Sequence, residues 1–349
     1  IDLGLSKITN KLFLALLQKQ EYSTQGEINT ITIQYYVSPI INSLVRSGTL
    51  EERELLFRAF IETDEIFDYY NSRTKITSQE DVYTRVARLG VNARARQNNQ
   101  IEKELETLEK EIISHNWAEN KILFVNGEKI DYSFTGLAAM KLAQKYNRPC
   151  LVLREKVSNS TWNGSGRNIE GCLDDNMKDF LLGTGLFEYA AGHNNAMGVS
   201  LKNENLKLAI EKTNELLKDF NPEKFYIVDF VFQPEDIEVE LVRDFDKLKS
   251  LYGQGIKESF IVVENMKINT REIRIMGKER DTWKFFWNDE VAIIRFKNGE
   301  DDEILKLIDD DWGGTDVVIS FVGKAGFSKF GGITEAQIEV KDYEVVSVG

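Results

Sequence analysis

A chain of 349 residues exceeds what one hydrophobic core usually organises, so two or three separate cores are expected. With 42% hydrophobic and 29% charged residues, 4 Pro and no apolar run near the roughly 20 residues of a bilayer span, the composition excludes a disordered, collagenous or helical membrane-spanning chain. The net charge of −13 argues against bulk attraction to nucleic acid while leaving room for a local basic groove.

The two cysteines, Cys150 and Cys172, cannot build a disulfide framework, and no secretory signal pattern opens the chain, so a reducing cytoplasm is the expected compartment. The two histidines, His115 and His193, are too few for a histidine-rich zinc site. Residue 1 is Ile and the first residues already read as the interior of a helical domain, which predicts a fragment of a longer protein.

In chain order, the apolar run from Lys11 to Gln18 and the helical spacing of Leu55, Leu56, Ala59 and Phe60 predict helices over the first 70 residues. The sequence SQED at 78–81 resembles a capping box, with Ser78 as cap, and predicts the start of a long helix. Ile101, Leu105, Leu108 and Ile112 step by one helical turn and continue it as an amphipathic connector. Between residues 82 and 101 lie Arg85, Arg88, Arg94 and Arg96 without an acidic residue. This basic island reads either as a solvated helix face or as a phosphate-facing surface.

Beyond Trp117 the texture is strand (121–125), helix (134–146), strand (149–153). Helical segments follow at 175–182 and 204–220, and the aromatic, β-branched run 224–232 closes a mixed α/β domain. From Phe260 onward six short β-rich runs, broken by Gly, Asn and Asp, predict a small barrel or sandwich. In the run from Trp283 to Trp287, Trp283 and Phe285 share one face, and Phe286 shares the other with Lys284. About half of these aromatics are expected in the core. Residues 251–349 carry 13 Lys and Arg against 19 Asp and Glu, so this part could equally bind a protein.

Three patches could carry chemistry. In NGSGRNIEG (163–171), Gly164 and Gly166 would let a turn expose backbone N–H groups, Ser165 adds a hydroxyl and Arg167 a fork that matches phosphate oxygens; a purely structural turn is the alternative. In AAGHNNAMG (190–198), His193 follows Gly192 and reads as a ligand-placed imidazole or as a satisfied structural one. In SPIINSLVRSG (38–48), Asn42 and Arg46 fall on one helical face, either as a surface pair or at a site.

Together these patches resemble the DHH phosphoesterases and, within them, the RecJ single-strand-specific exonucleases, especially the shorter phage and prophage forms. Pro39, Asn42, Arg46 and Gly48 match the motif that closes the family's catalytic domain. Gly164, Ser165, Gly166 and Arg167 match its GSGRS motif with Asn168 in place of the final Ser, and Gly192, His193, Ala196 and Gly198 match its His-containing motif, from which Ala191 and Met197 depart. The resemblance implies an α/β plus β architecture: the helical end of a DHH domain (1–75), a connector helix (76–115), a DHH-associated domain (116–245) and an OB-fold-like barrel (246–349) entered through YGQGIKESF (252–260).

It also implies hydrolysis of phosphodiester bonds in single-stranded DNA from the 5′ end, with two divalent metal ions, manganese or magnesium. No Asp-His-His triplet occurs, so the metals are expected in a part absent from this chain, leaving the chain alone inactive and without a metal site. Asn42, Arg46, Gly164, Ser165, Gly166, Arg167, Gly192 and His193 would then hold phosphate, His193 in a supporting catalytic role. Arg85, Arg88, Arg94, Arg96, Trp283 and Phe285 are the candidate nucleic-acid contacts. Expected partners are single-stranded DNA, the missing catalytic segment and a single-strand-binding protein, in the cytoplasm of a bacterial or phage-infected cell. The alternatives are an oligoribonucleotide or cyclic-dinucleotide phosphodiesterase, and a non-catalytic nucleic-acid- or protein-binding module.

Overall fold

The computed structural model describes residues 2–24, 26–169, 171–220, 226–253, 256–299, 301–310, 314–330 and 332–349. The chain forms two compact units, one of Asn10–Lys19 with Val37–Lys224, the other of Ile1–Thr9, Gln20–Tyr36 and Phe225–Gly349. Among the described residues no helix is long and apolar enough to cross a membrane.

The predicted early helices form at α1 (Lys11–Thr24), α2 (Ser38–Ser47) and α3 (Leu50–Phe60). They bury Leu12 and Leu16, Ile40 and Leu44, and Leu55, Leu56 and Ala59. The helical reading of the first 70 residues then fails, because Ile66–Asn71 is strand β1 and pairs antiparallel with β2 (Ile76–Asp81). Ser78 caps no helix. It lies opposite Tyr69 within this hairpin. The connector α4 (Val82–Ser114) begins later, where Asp81 accepts the Thr84 N–H at 2.7 Å. Two carboxylates stand close together in SQED, and local pattern could not tell which residue the backbone uses as a cap.

In the first unit a five-stranded mixed sheet has the order β3-β4-β5-β7-β6. Its strands are β3 (Leu123–Asn126), β4 (Cys150–Lys156), β5 (Thr161–Arg167), β6 (Phe187–His193) and β7 (Ala196–Lys202), with β3 and β4 parallel and joined through helix α5 (Thr135–Tyr146). Both faces are covered, which explains why Cys150–Leu153 is continuously apolar rather than alternating. Cys150 and Val152 pack with Ala138, Ala139 and Leu142 of α5 and with Ile101, Leu108 and Ile112 of α4. Leu151 and Leu153 face the other way, onto Met177 and Leu181 of α6 (Met177–Gly183) and Ala209 of α7 (Leu206–Leu216).

In the second unit a seven-stranded sheet has the order β10-β11-β12-β14-β13-β9-β8. All six β-rich runs of the sequence fall in its strands β9 (Ile261–Asn269), β10 (Arg274–Met276), β11 (Thr282–Trp287), β12 (Val291–Arg295), β13 (Asp316–Phe330) and β14 (Ile333–Val348). Register shifts at Val318/Ile319 and Val322/Gly323 interrupt the long β13–β14 pairing, the irregularity by which long strands bend. The run 224–232 goes to this sheet: β8 (Phe230–Phe232) pairs parallel with Ile261–Val263, while residues 224 and 225 lie outside the described residues. Val242 and Phe245 of α8 (Val239–Lys247) join the same core. In the segment 252–260, expected to lead into the barrel, residues 254 and 255 lie outside the described residues.

Candidate phosphate-binding site

Helix α2 is fastened to α4 so that one side chain is presented outward. Gly90 of α4 has no side chain where a Cβ would overlap Ile40, so the two helices approach closely. The Ser43 hydroxyl lies 3.0 Å from the Gln97 side-chain oxygen, and the Gln97 amide donates to Ser47 Oγ at 3.1 Å. With this face buried, Asn42 and Arg46 are exposed one turn apart, as the sequence predicts.

The Gly-Ser-Gly segment is not a turn. Residues 164–167 are the end of β5, paired on both sides with β4 and β7, so their amides belong to the sheet ladder and are not free for phosphate. A Cβ at Gly164 would overlap the Val152 carbonyl, and one at Gly166 would lie 2.7 Å from Met197 Sδ. Gly164 thus allows close approach of β4, and Gly166 close packing on the side of α6. The intervening Ser165 and Arg167 point to the opposite face, that of α5.

There the Ser165 and Thr135 hydroxyls are 3.0 Å apart, and Arg167 Nη1 donates to the Gly166 carbonyl at 2.7 Å. The Arg167 guanidinium lies against the first turn of α5, where Gly136 leaves room for it: a Cβ there would stand 2.8 Å from Arg167 Nη2. Helix α5 continues directly from a 3₁₀ turn (Tyr132–Phe134) whose start is capped by Asp131, and the Thr135 N–H donates to the Tyr132 carbonyl.

Arg46, Arg167, Ser165, Thr135 and Gly136, with Tyr132, Ser133, Leu137 and Met140, line one cleft of about 450 Å³. Among the described residues no carboxylate lines it, and neither arginine is paired with an acid. Burial lowers the Arg167 pKa from its ordinary value, and the charge of Arg46 pushes it the same way. Two guanidinium groups and the Ser165 hydroxyl converge on this space, a set of donors that matches an anion.

The second motif lies beside it. Arg167 pairs with Ala196 across β5–β7, and Ala196 pairs with His193 across β7–β6, so His193 sits two strands away on the same sheet face, roughly 10 Å along it. It is exposed and does not line the cleft. Gly192 has φ +134°, a conformation that excludes a side chain, and its Cβ would meet the Ala196 carbonyl. Asn168 ties down the hairpin tip, donating from its side chain to Asn195 Oδ1 at 2.9 Å and from its backbone to the Asn195 carbonyl at 3.0 Å.

The other candidates are corrected. Arg85 and Arg88 both reach the buried carboxylate of Glu80 and lie over the rings of Phe67 and Tyr69 at 4.7 and 4.2 Å. Arg96 Nη2 donates to both carboxylate oxygens of Glu52, at 2.9 and 2.8 Å. Arg85, Arg88 and Arg96 therefore hold the β1–β2 hairpin and α3 against α4. Arg94 alone is half-buried with no acidic partner among the described residues. Trp283 and Phe285 are 0% and 1% exposed and stack in the core of the seven-stranded module, so they present no surface to a nucleobase. On the opposite face Lys284 pairs with Glu335 and lies over the ring of Phe286 at 4.6 Å. Sequence reasoning missed Tyr132, Ser133, Thr135, Gly136, Leu137 and Met140; a glycine in the first turn of an otherwise helical segment was the available signal.

The fold carries an arginine-lined cleft and a separate β-rich module, and the comparisons relate the chain to RecJ proteins. The family described as RecJ OB domain matches residues 228–342, which begins upstream of the expected boundary at 246 and includes β8. The chain is 31% identical over 347 residues to the SPbeta prophage protein YorK of Bacillus subtilis (strain 168), which carries the name single-strand DNA-specific exonuclease; the match covers 98% of this chain and 60% of YorK. It is 22% identical over 353 residues to the single-stranded-DNA-specific exonuclease RecJ of the same organism, covering 98% of this chain and 41% of RecJ. The chain thus spans less than two thirds of the length of these relatives. The fold is shared with RecJ of Thermus thermophilus in complex with Mn²⁺, at a TM-score of 0.64 and 15% identity over 98% of this chain and 45% of that one. The Mg²⁺ complex gives a TM-score of 0.62, also at 15% identity, over 98% of this chain and 48% of that one.

Proposed function

We propose that this chain is the substrate-holding portion of a RecJ-like exonuclease that hydrolyses single-stranded DNA from the 5′ end, and that its cleft grips a phosphate of the strand. One observation carries the reading: Arg46 and Arg167 converge with Ser165 on a cleft in which no described residue contributes a carboxylate. Elsewhere the chain spends arginines on internal acids, as at Glu80 and Glu52. Leaving two unpaired in one place costs repulsion that a bound phosphate removes.

The resemblance implies two divalent metal ions, and Mn²⁺ and Mg²⁺ accompany the Thermus structures. Among the described residues no group of three or more His, Cys, Asp and Glu could hold such an ion. The cleft residues are assigned the holding of substrate. OB folds bind single strands through aromatic stacking and basic grooves, and the seven-stranded module enters the reading in that capacity, with contacts other than Trp283 and Phe285.

The test is binding of a labelled single-stranded oligonucleotide across a salt series. Arg167→Ala and Arg46→Ala should each weaken binding about tenfold or more and lower the salt slope by about 0.7. Unchanged affinity and slope in both variants would reject the reading.

A further inference from the structure

The cleft has a second wall that phosphate binding does not use. Opposite in character to Arg46, Arg167 and Ser165, it consists of Tyr132, Leu137 and Met140. Tyr132 is 65% exposed and Met140 39%, and Tyr132, Gly136 and Met140 follow one another at four-residue spacing along one side of the turn and helix.

Tyr132 is exposed but not loose. Asp131 caps its turn by accepting the Ser133 N–H at 2.8 Å and hydroxyl at 2.6 Å. The Tyr132 carbonyl accepts the Thr135 hydroxyl at 3.0 Å, and Thr135 in turn contacts Ser165. The backbone that carries the ring is thus bonded to the residue that lines the anion site. Among the described residues the ring itself has no aromatic, cationic or hydrogen-bonding partner. A single exposed tyrosine needs no explanation. One fixed beside two unpaired arginines, with Met140 on the same cleft wall, forms a surface with the two halves of a nucleotide: charge for the phosphate and a flat apolar face for the base.

Resting on the phosphate reading above, we propose that Tyr132 is a substrate-positioning residue that stacks on a nucleobase next to the phosphate held by Arg46 and Arg167. Stacking is tolerant of base identity, because every base has a π-face. The wall therefore favours a single strand, whose bases are free to splay, over a duplex, whose bases are already stacked, and it does so without sequence preference.

The experiment compares two labelled strands of equal length, oligothymidylate and a wholly abasic phosphodiester, bound to the 349-residue chain with native Tyr132, Tyr132→Ala, Tyr132→Phe or Arg167→Ala. Tyr132→Ala is expected to weaken oligothymidylate about fivefold or more and leave the abasic strand unchanged, with Tyr132→Phe close to native on both. Arg167→Ala should weaken both strands. If Tyr132→Ala weakens both strands equally, or neither, while Arg167→Ala still weakens both, the stacking inference is overturned and the phosphate reading stands. If Arg167→Ala leaves both strands unaffected, the phosphate reading falls and this inference with it.

Discussion

Gly136→Ala separates the site from the fold, because the two should respond with opposite signs. Gly136 is in the first turn of α5 with ordinary helical backbone, so alanine there lowers the entropy cost of forming the helix and should stabilise it by up to about 1 kcal/mol. For a unit of this size that raises Tm by about 2–4 °C. The added Cβ stands 2.8 Å from Arg167 Nη2, whereas ordinary contact begins near 3.4 Å, so the guanidinium must retreat by about 0.6 Å. A charged hydrogen bond is worth about 1.5–3 kcal/mol, and a shift of that size forfeits much of it. Binding of a single-stranded oligonucleotide should therefore fall about tenfold in a protein that melts later. Thermal unfolding and fluorescence anisotropy on the same preparation measure both effects. A rise in Tm with native affinity would show that Arg167 does not hold the strand; a fall in Tm would show that the helix start is built differently.

Other outcomes follow from the residues reassigned above. Trp283→Ala should cost about 3–5 kcal/mol in urea unfolding, as for a large aromatic removed from a core; a loss under about 1 kcal/mol together with weakened DNA binding would return Trp283 to the surface. Arg88→Ala should destabilise by about 1–3 kcal/mol, because Glu80 loses its closest partner, while DNA affinity stays within about twofold. Weakened binding at native stability would contradict this. Burial pushes the Cys172 thiol up from 9.0 to about 11 and raises Cys150 as well. The folded state thus keeps both protonated. This linkage leaves stability unaffected below about pH 9 and lowers it as the pH rises from there through about 11. Thiol labelling at about pH 8 should be far slower in the native than in the urea-unfolded chain, and equal rates would refute the burial of both sulfurs.

What could be read from the sequence was whatever depends on near neighbours. The strand-helix-strand at 121–153 was legible because a buried parallel pair needs a continuous apolar run, and Cys150–Leu153 supplies one for both covered faces. That Asn42 and Arg46 share one helical face followed from their four-residue spacing, whereas the exposure of that face did not. Other features depend on distant partners. Gly164 and Gly166 look like a turn until Leu151, Val152 and Met197 are seen to crowd their faces. The basic island looks free until Glu80 and Glu52 come in from other elements. Trp283 and Phe285 were rightly placed on one face, but which face of a strand becomes core is decided by the sheet around it. The cleft draws on residues 46, 132–140 and 165–167, and no local pattern joins them.

Arg46 and Arg167 are the arginines expected to meet the strand. Side-chain Nε–H resonances of arginine, followed by NMR during titration with oligothymidylate in the presence of a chelator, test this residue by residue. Saturable shifts are expected for Arg46 and Arg167, with stationary signals for Arg85, Arg88 and Arg96, which remain on Glu80 and Glu52. Movement confined to the latter three, with Arg46 and Arg167 unperturbed at saturation, would contradict it.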